Sequence, residues 1–241
     1  MGFNMNIVEC IDVKKAYRQD TLEVRALNGI TLSIQKGAFV ALAGPSGSGK
    51  TTMLNIIGGL DTADSGRVIV DGNALEDMTQ SELANLRLRN VGFVFQAYNL
   101  IPVLSALENV EFVMLLQGIP PDERRERAMA ILDDVGLEDM YNRRPAELSG
   151  GQQQRVAVAR AIVSSPSIVL ADEPTANLDS KTGKGLLEMM KQMNERRKAT
   201  FVFSTHDKMV MDYARRLILI RDGLVADDQV REGGFRFAIF D

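Results

Sequence analysis

"FVALAGPSGSGKTTMLNII", residues 39–57, joins an apolar run of strand length, a glycine-rich turn and apolar residues at helical spacing. The turn, Gly44 to Thr51, satisfies the pattern G-x-x-x-x-G-K-[ST] in full, with the strand before it and the helix after it that give the pattern meaning. Glycines in such a turn let backbone N–H groups close around phosphate oxygens. A lysine at the position of Lys50 reaches the outer phosphates, and a hydroxyl at Thr51 can ligate Mg²⁺. Gly44, Pro45, Ser46, Gly47, Ser48, Gly49, Lys50, Thr51 and Thr52 are therefore the candidate phosphate-binding residues.

Working outward, "ALNGITLSIQKG" (26–37) alternates before the chain becomes continuously apolar, which predicts a strand passage from a sheet edge to a buried centre. "SGRVIVDG" (65–72) is a short strand between turn signals. From about Ser81 to Ser165 the patterns are mostly helical, most clearly in "PPDERRERAMAILDDVGL" (120–137), whose charges form a solvated face. After Pro166, "SIVLADEP" (167–174) and "ATFVFSTHD" (199–207) are apolar runs of strand length with a helical stretch between them. "RLILIRDGLVAD" (216–227) predicts a closing hairpin, and "QVREGGFRFAIFD" (229–241) supports no assignment. The sum is an α/β core interrupted by a helical lobe.

Composition narrows the function. The 241 residues carry a net charge of −4, with a sequence pI of about 5.2, so no overall basic field attracts nucleic acid. One cysteine, Cys10, excludes an internal disulfide framework and suits a reducing compartment. The N-terminal residues show neither a signal-peptide nor a myristoylation pattern, and no apolar stretch approaches the ~18 residues that span a bilayer.

"IVLADE" ends an apolar strand on two acids. Asp172 is placed to hold Mg²⁺ through its water shell, and Glu173 to polarise an attacking water. These elements define a P-loop nucleotide hydrolase. The N-K-x-D motif of guanine readers is absent. "LSGGQ" (148–152) has the layout of a second anion cradle, a serine and two glycines opening a helix whose free N–H groups and dipole favour negative charge.

"LSGGQ" lying downstream of "GPSGSGKT" and shortly before "VLADEP" resembles the ATP-binding subunit of ABC transporters, over about Val8 to Asp222. The resemblance implies a RecA-like P-loop core (about 1–95 and 165–225) with an antiparallel β subdomain, an inserted α-helical subdomain (about 96–164) and a short tail (226–241). It makes Tyr17 the residue that stacks on adenine, although the residues alone fit a half-buried surface tyrosine equally well. It makes Gln96 a ligand of Mg²⁺ and of the nucleophilic water, a role with no independent warrant in the sequence. His206, the single histidine, resembles the switch histidine, and its place after an apolar strand independently suits a group that stabilises charge on the γ-phosphate. Asp179 in "ANLD" (176–179) falls on the D-loop, where Asn177 departs from the alanine common in the family.

The same resemblance implies two copies paired head to tail. Ser149, Gly150, Gly151 and Gln152 of one copy then close over ATP held by the other copy. Its motifs are most similar to the branch of macrolide-exporter, lipoprotein-releasing and cell-division ATPases. That implies a cytoplasmic protein, peripheral on the inner face of the membrane, with a membrane permease docking near Tyr98, Leu100, Ile101 and Leu104. Those apolar residues would equally suit a buried helical core. A regulatory ATPase coupling ATP to a membrane scaffold without transport is the alternative function. A nucleic-acid ABC ATPase fits poorly, because the stretch from Lys50 to Ser149 is too short for a long coiled coil.

Overall fold

The computed structural model describes residues 6–19 and 22–231. The chain runs through β1 (Asn6–Gln19), β2 (Leu22–Gln35), β3 (Phe39–Ala43), α1 (Lys50–Ile57), β4 (Ser65–Val70) and β5 (Asn73–Ala74). It continues through α2 (Gln80–Asn90), β6 (Val91–Val94), α3 (Ala106–Leu116), α4 (Pro121–Asp134) and α5 (Gly150–Ile162). The last elements are β7 (Ile168–Asp172), α6 (Ser180–Arg197), β8 (Thr200–Thr205), α7 (Lys208–Tyr213), β9 (Arg216–Arg221) and β10 (Leu224–Val230).

Two sheets result. A four-stranded antiparallel sheet has the order β2-β1-β4-β5, and a six-stranded sheet the order β10-β9-β3-β8-β7-β6. The larger sheet is parallel except for the β9–β10 hairpin. Its central strands are apolar on both faces because both faces are covered. Strand alternation divides their side chains between two cores. Phe39, Ala41, Val169, Ala171, Phe201 and Phe203 join the core under the helical lobe. Val40, Leu42, Ile168, Leu170 and Val202 join the core shared with α1 and the antiparallel sheet. Met53, Leu54, Ile56 and Ile57 of α1 fill that second core, which fixes the helix that follows the glycine-rich turn.

Three sequence expectations change. The passage 26–43 is two strands in different sheets, broken at Lys36 and Gly37, where Gly37 takes a φ of +77°. Alternation marks β2, at the edge of the smaller sheet, and the continuous apolar run marks β3, in the middle of the larger. Within the region read as helical, Val91–Val94 is a strand paired in parallel with β7. It is four residues long, too short for a period to declare itself. The hairpin extends to Val230, past the expected start of a tail at residue 226, while residues 232–241 lie outside the described residues.

Candidate functional site

The carboxyl ends of β3, β6, β7 and β8 point the same way, and the segments leaving them meet in one cleft, as the geometry of parallel sheets requires. The cleft has a volume of about 420 Å³ and is lined by Tyr17, Ser46, Gly47, Gly49, Lys50, Thr51, Thr52, Gln96, Asp172, Glu173 and His206, together with Val24, Arg25 and Ala26. Residues from six separate stretches of sequence therefore converge on one volume.

The glycine-rich loop is shaped by what surrounds it. Gly44 (φ +151°) and Gly49 (φ +104°) leave no room for a side chain, since a Cβ would come within 2.1 Å of the Ile220 carbonyl and 2.5 Å of the Ala26 carbonyl respectively. Lys50 is only 5% exposed, and its Nζ donates to the Gly44 and Pro45 carbonyls at 2.8 Å each. Burial lowers its pKa from the ordinary 10.5, while Glu173 and Asp172 act in the opposite sense. Gly44, Pro45 and Ser48 do not line the cleft. The first two anchor the lysine, and Ser48 is buried beneath the loop. Gly49 is the N-cap of α1 and no side chain caps the helix, so its first turn, whose Lys50, Thr51 and Thr52 line the cleft, keeps N–H groups without a side-chain partner.

The acids are held differently. Thr51 Oγ1 donates to Asp172 Oδ1 at 3.1 Å, joining the loop to the end of β7. Glu173 sits at a φ of +44°, an uncommon conformation for a residue with a side chain, and its N–H donates to the Ser204 carbonyl at 2.9 Å. Its carboxylate accepts from Thr205 Oγ1 (3.0 Å) and the His206 N–H (3.1 Å), and lies 2.6 Å from His206 Nδ1. A carboxylate opposite Nδ1 assigns the proton to that nitrogen and leaves Nε2 for another partner. Thr205 in turn accepts from the Asp207 N–H at 2.9 Å.

Two groups of sequence candidates stay outside this cleft. Ser149, Gly150, Gly151 and Gln152 open α5 at an accessible surface. There Ser149 Oγ accepts from the Gln152 N–H at 3.3 Å, and the Ser149 N–H donates to Gln152 Oε1 at 2.8 Å, forming a capping box. Asp179 caps α6 instead of lining the cleft, accepting from the N–H groups of Lys181 and Thr182 at 3.0 Å each.

The expected docking segment is only partly buried, and Val103 within it is 72% exposed. Leu100 packs against the lobe core, and the amide of buried Asn109 pins the turn that follows, bonding Ile101, Leu104 and Ser105 backbone atoms. Beside it lies a groove of about 370 Å³, lined by Leu60, Phe93, Phe95, Val113 and, from the expected stretch, Asn99. Sequence reading missed the residues that tie this region to α5. Gln154 donates to the Phe95 carbonyl at 3.4 Å and also to the Pro174 carbonyl beyond β7 at 2.9 Å, and Arg160 donates to the Tyr98 and Asn99 carbonyls. Inside an apolar helix these residues carried no signal beyond being polar.

A phosphate cradle, a strand-end acid pair and a histidine at the carboxyl edge of a parallel sheet define the class of P-loop nucleotide hydrolases. The sequence matches the family described as ABC transporter over residues 27–176. It is 46% identical over 219 residues to an uncharacterized ABC transporter ATP-binding protein of Thermotoga maritima, covering 91% of this chain and 93% of that one. The macrolide export ATP-binding/permease protein of Syntrophobacter fumaroxidans is 46% identical over 223 residues, but the chain spans only 31% of its length. The ATP-binding cassette MJ0796 of Methanocaldococcus jannaschii has a solved dimeric structure in a post-hydrolysis state with ADP and phosphate. That structure superposes with a TM-score of 0.87 at 44% identity, covering 94% of this chain and 99% of that one. The chain belongs to the ABC transporter family.

Proposed function

We propose that this chain is the ATP-hydrolysing engine of an ABC transporter, working as a head-to-tail pair that drives a membrane permease. The observation that carries the reading is the convergence of Lys50, Thr51, Gln96, Asp172, Glu173 and His206 on one cleft beside the loop. Its volume is within the range of small-molecule sites. Tyr17, at the far wall, is the platform for the base.

The chemistry follows from the positions. Lys50 and the uncapped N–H groups of α1 bind phosphate oxygens and offset their charge. Thr51, Asp172 and Gln96 offer only oxygen donors and uncharged amide, a set that suits Mg²⁺. When bound, that ion neutralises charge on the phosphates. Glu173, oriented by Thr205 and His206, takes the proton from the attacking water. His206, steadied through Nδ1, presents Nε2 to the γ-phosphate.

In the pair, Ser149, Gly151 and their neighbours close over the nucleotide of the opposite copy, with Asp179 beside the same interface. The dimeric cassette of similar fold supports this arrangement. No helix among the described residues is long and apolar enough to cross a membrane. We place the protein in the cytoplasm, on the inner face of the membrane, with a short permease segment seated in the groove of Leu60, Phe93 and Phe95. The macrolide-export relatives support export as the direction of work.

Glu173→Gln is the test. It should retain ATP binding and lower steady-state phosphate release by at least about a hundredfold, the lower end of what a positioned general base contributes. Near-normal turnover would remove Glu173 from that role.

A further inference from the structure

Tyr17 does not stand alone in the cleft wall. Its hydroxyl donates to Asp61 Oδ2 at 2.6 Å, and the other carboxylate oxygen of Asp61 accepts from Lys15 Nζ at 2.9 Å and from the Thr62 N–H at 2.7 Å. Lys15 Nζ also donates to the Thr62 carbonyl at 2.8 Å, and it lies over the Tyr17 ring, 5.2 Å from the centroid. One ring face is therefore taken by a cation. Tyr17 as a whole is still 37% exposed and lines the cleft, which leaves the ring's other face for a planar partner.

The position of Asp61 in the chain gives the contact its meaning. The Asp61 N–H donates to the Asn55 carbonyl in the last turn of α1 at 3.3 Å. The same helix begins at the phosphate-binding loop. Its eight residues make a rod of about 12 Å, rigidly packed into the core by Met53, Ile56 and Ile57. Phosphate loop and ring are thus registered from the two ends of one helix, although β1 carries the ring and is 44 residues distant from Asp61 in sequence.

We propose that Asp61, with Lys15, is a positioning residue that holds Tyr17 as a preformed stacking platform for the nucleotide base. This rests on the reading of Tyr17 as that platform. An unbraced tyrosine at a surface samples several rotamers, and binding would have to immobilise it. A braced one has already lost that freedom during folding, so the base meets a fixed surface. The electrostatics agree with a network made to persist. Burial opposes ionisation of Asp61, yet hydrogen bonds from Tyr17, Lys15 and Thr62 hold its carboxyl below the ordinary 3.8. Burial and the bond to Asp61 push the Tyr17 phenol up.

Calorimetry with Mg-ATP and with Mg-tripolyphosphate, which has no base, tests the inference on the full chain. Asp61→Asn and Tyr17→Phe should each weaken ATP binding about threefold to tenfold, and the double variant should be no weaker than the poorer single. Tripolyphosphate affinity should stay at the wild-type value in all three. Tyr17→Phe keeps the ring and its packing, so it remains informative if Asp61→Asn folds poorly. Unchanged ATP affinity in Tyr17→Phe, additive losses, or an equal loss for tripolyphosphate would overturn the brace. Tyr17→Ala separates the two layers. If it leaves ATP affinity intact, the platform reading fails. If it weakens ATP while Tyr17→Phe and Asp61→Asn do not, the brace alone fails.

Discussion

Helices α1 and α5 both open on glycine-containing loops suited to anions, yet they are finished in opposite ways. The start of α1 has Gly49 in a left-handed conformation, no side-chain cap, and a wall of groups from β1, β2 and the ends of β6, β7 and β8 around it. The start of α5 has Ser149 and Gln152 satisfying each other's backbone in a capping box, and it faces outward. A helix start with free N–H groups inside a cleft is complete for a ligand within one chain. A self-capped start at the surface is stable without a ligand and gains a use only when another surface supplies one. Capping boxes also open α2 and α3, so the cap alone does not mark a contact; the difference supports the proposal that the first cradle binds in cis and the second in trans.

The largest expected effect breaks the second cradle only. Ser149→Asp keeps a good N-cap residue, so the thermal midpoint should stay within a degree or two. Its carboxylate would face the γ-phosphate of the opposite copy, where like charges at ~4 Å cost about 4 kcal/mol, close to a thousandfold. In a Glu173→Gln background the ATP-dependent dimer, seen by size exclusion with light scattering, should vanish while the monomer's ATP affinity holds. This is a cleaner variant than a change at Gly151, where a Cβ would come within 2.4 Å of Thr182 Cγ2 and disturb the chain itself. A persistent dimer, or a monomer that no longer binds ATP, would remove the distinction between the cradles.

Next in size, Lys50→Met should weaken ATP binding by the monomer at least about thirtyfold, the smaller cost of truncating one partner of a buried charge pair. Equilibrium titration with a fluorescent ATP analogue measures it. Because burial has lowered the Lys50 pKa, wild-type affinity should also fall as the pH rises through that value, below the ordinary 10.5. Lys50→Met should lack this alkaline limb. The smallest effect sharpens the comparison from the other side. Ser149→Ala removes the cap of α5 without adding charge, and should cost about 1 kcal/mol of stability, read as a lower denaturation midpoint. Gly49→Ala offers no matching cap experiment at α1, since Ala26 already fills the space.

Local chemistry was legible wherever one stretch of chain carries its whole meaning. The phosphate loop, the acids ending β7 and the histidine following β8 are each a strand, a turn and a few side chains, and their types follow from their neighbours in sequence. The two sheets were less legible, because alternation shows that β2 is half covered without saying which sheet covers it. The strand of Val91–Val94 was hidden by its brevity among helices. Asp61, Asn109, Gln154 and Arg160 gave no signal, since each acts on backbone or a side chain that only folding brings near.

The sequence by itself therefore determined the phosphate-binding loop, the acid pair, the histidine and their order along the chain. These are patterns of a few adjacent residues, fixed by backbone sterics and hydrogen-bond chemistry. Tertiary structure alone decided that Tyr17, Gln96 and His206 share a cleft with Lys50, and that Ser149 and Asp179 cap other helices outside it. It also decided that α1 ties the base-side wall to the phosphate side. Those relations depend on strand order and on two cores closing around one sheet, and long-range packing of that kind leaves no period or spacing in the chain.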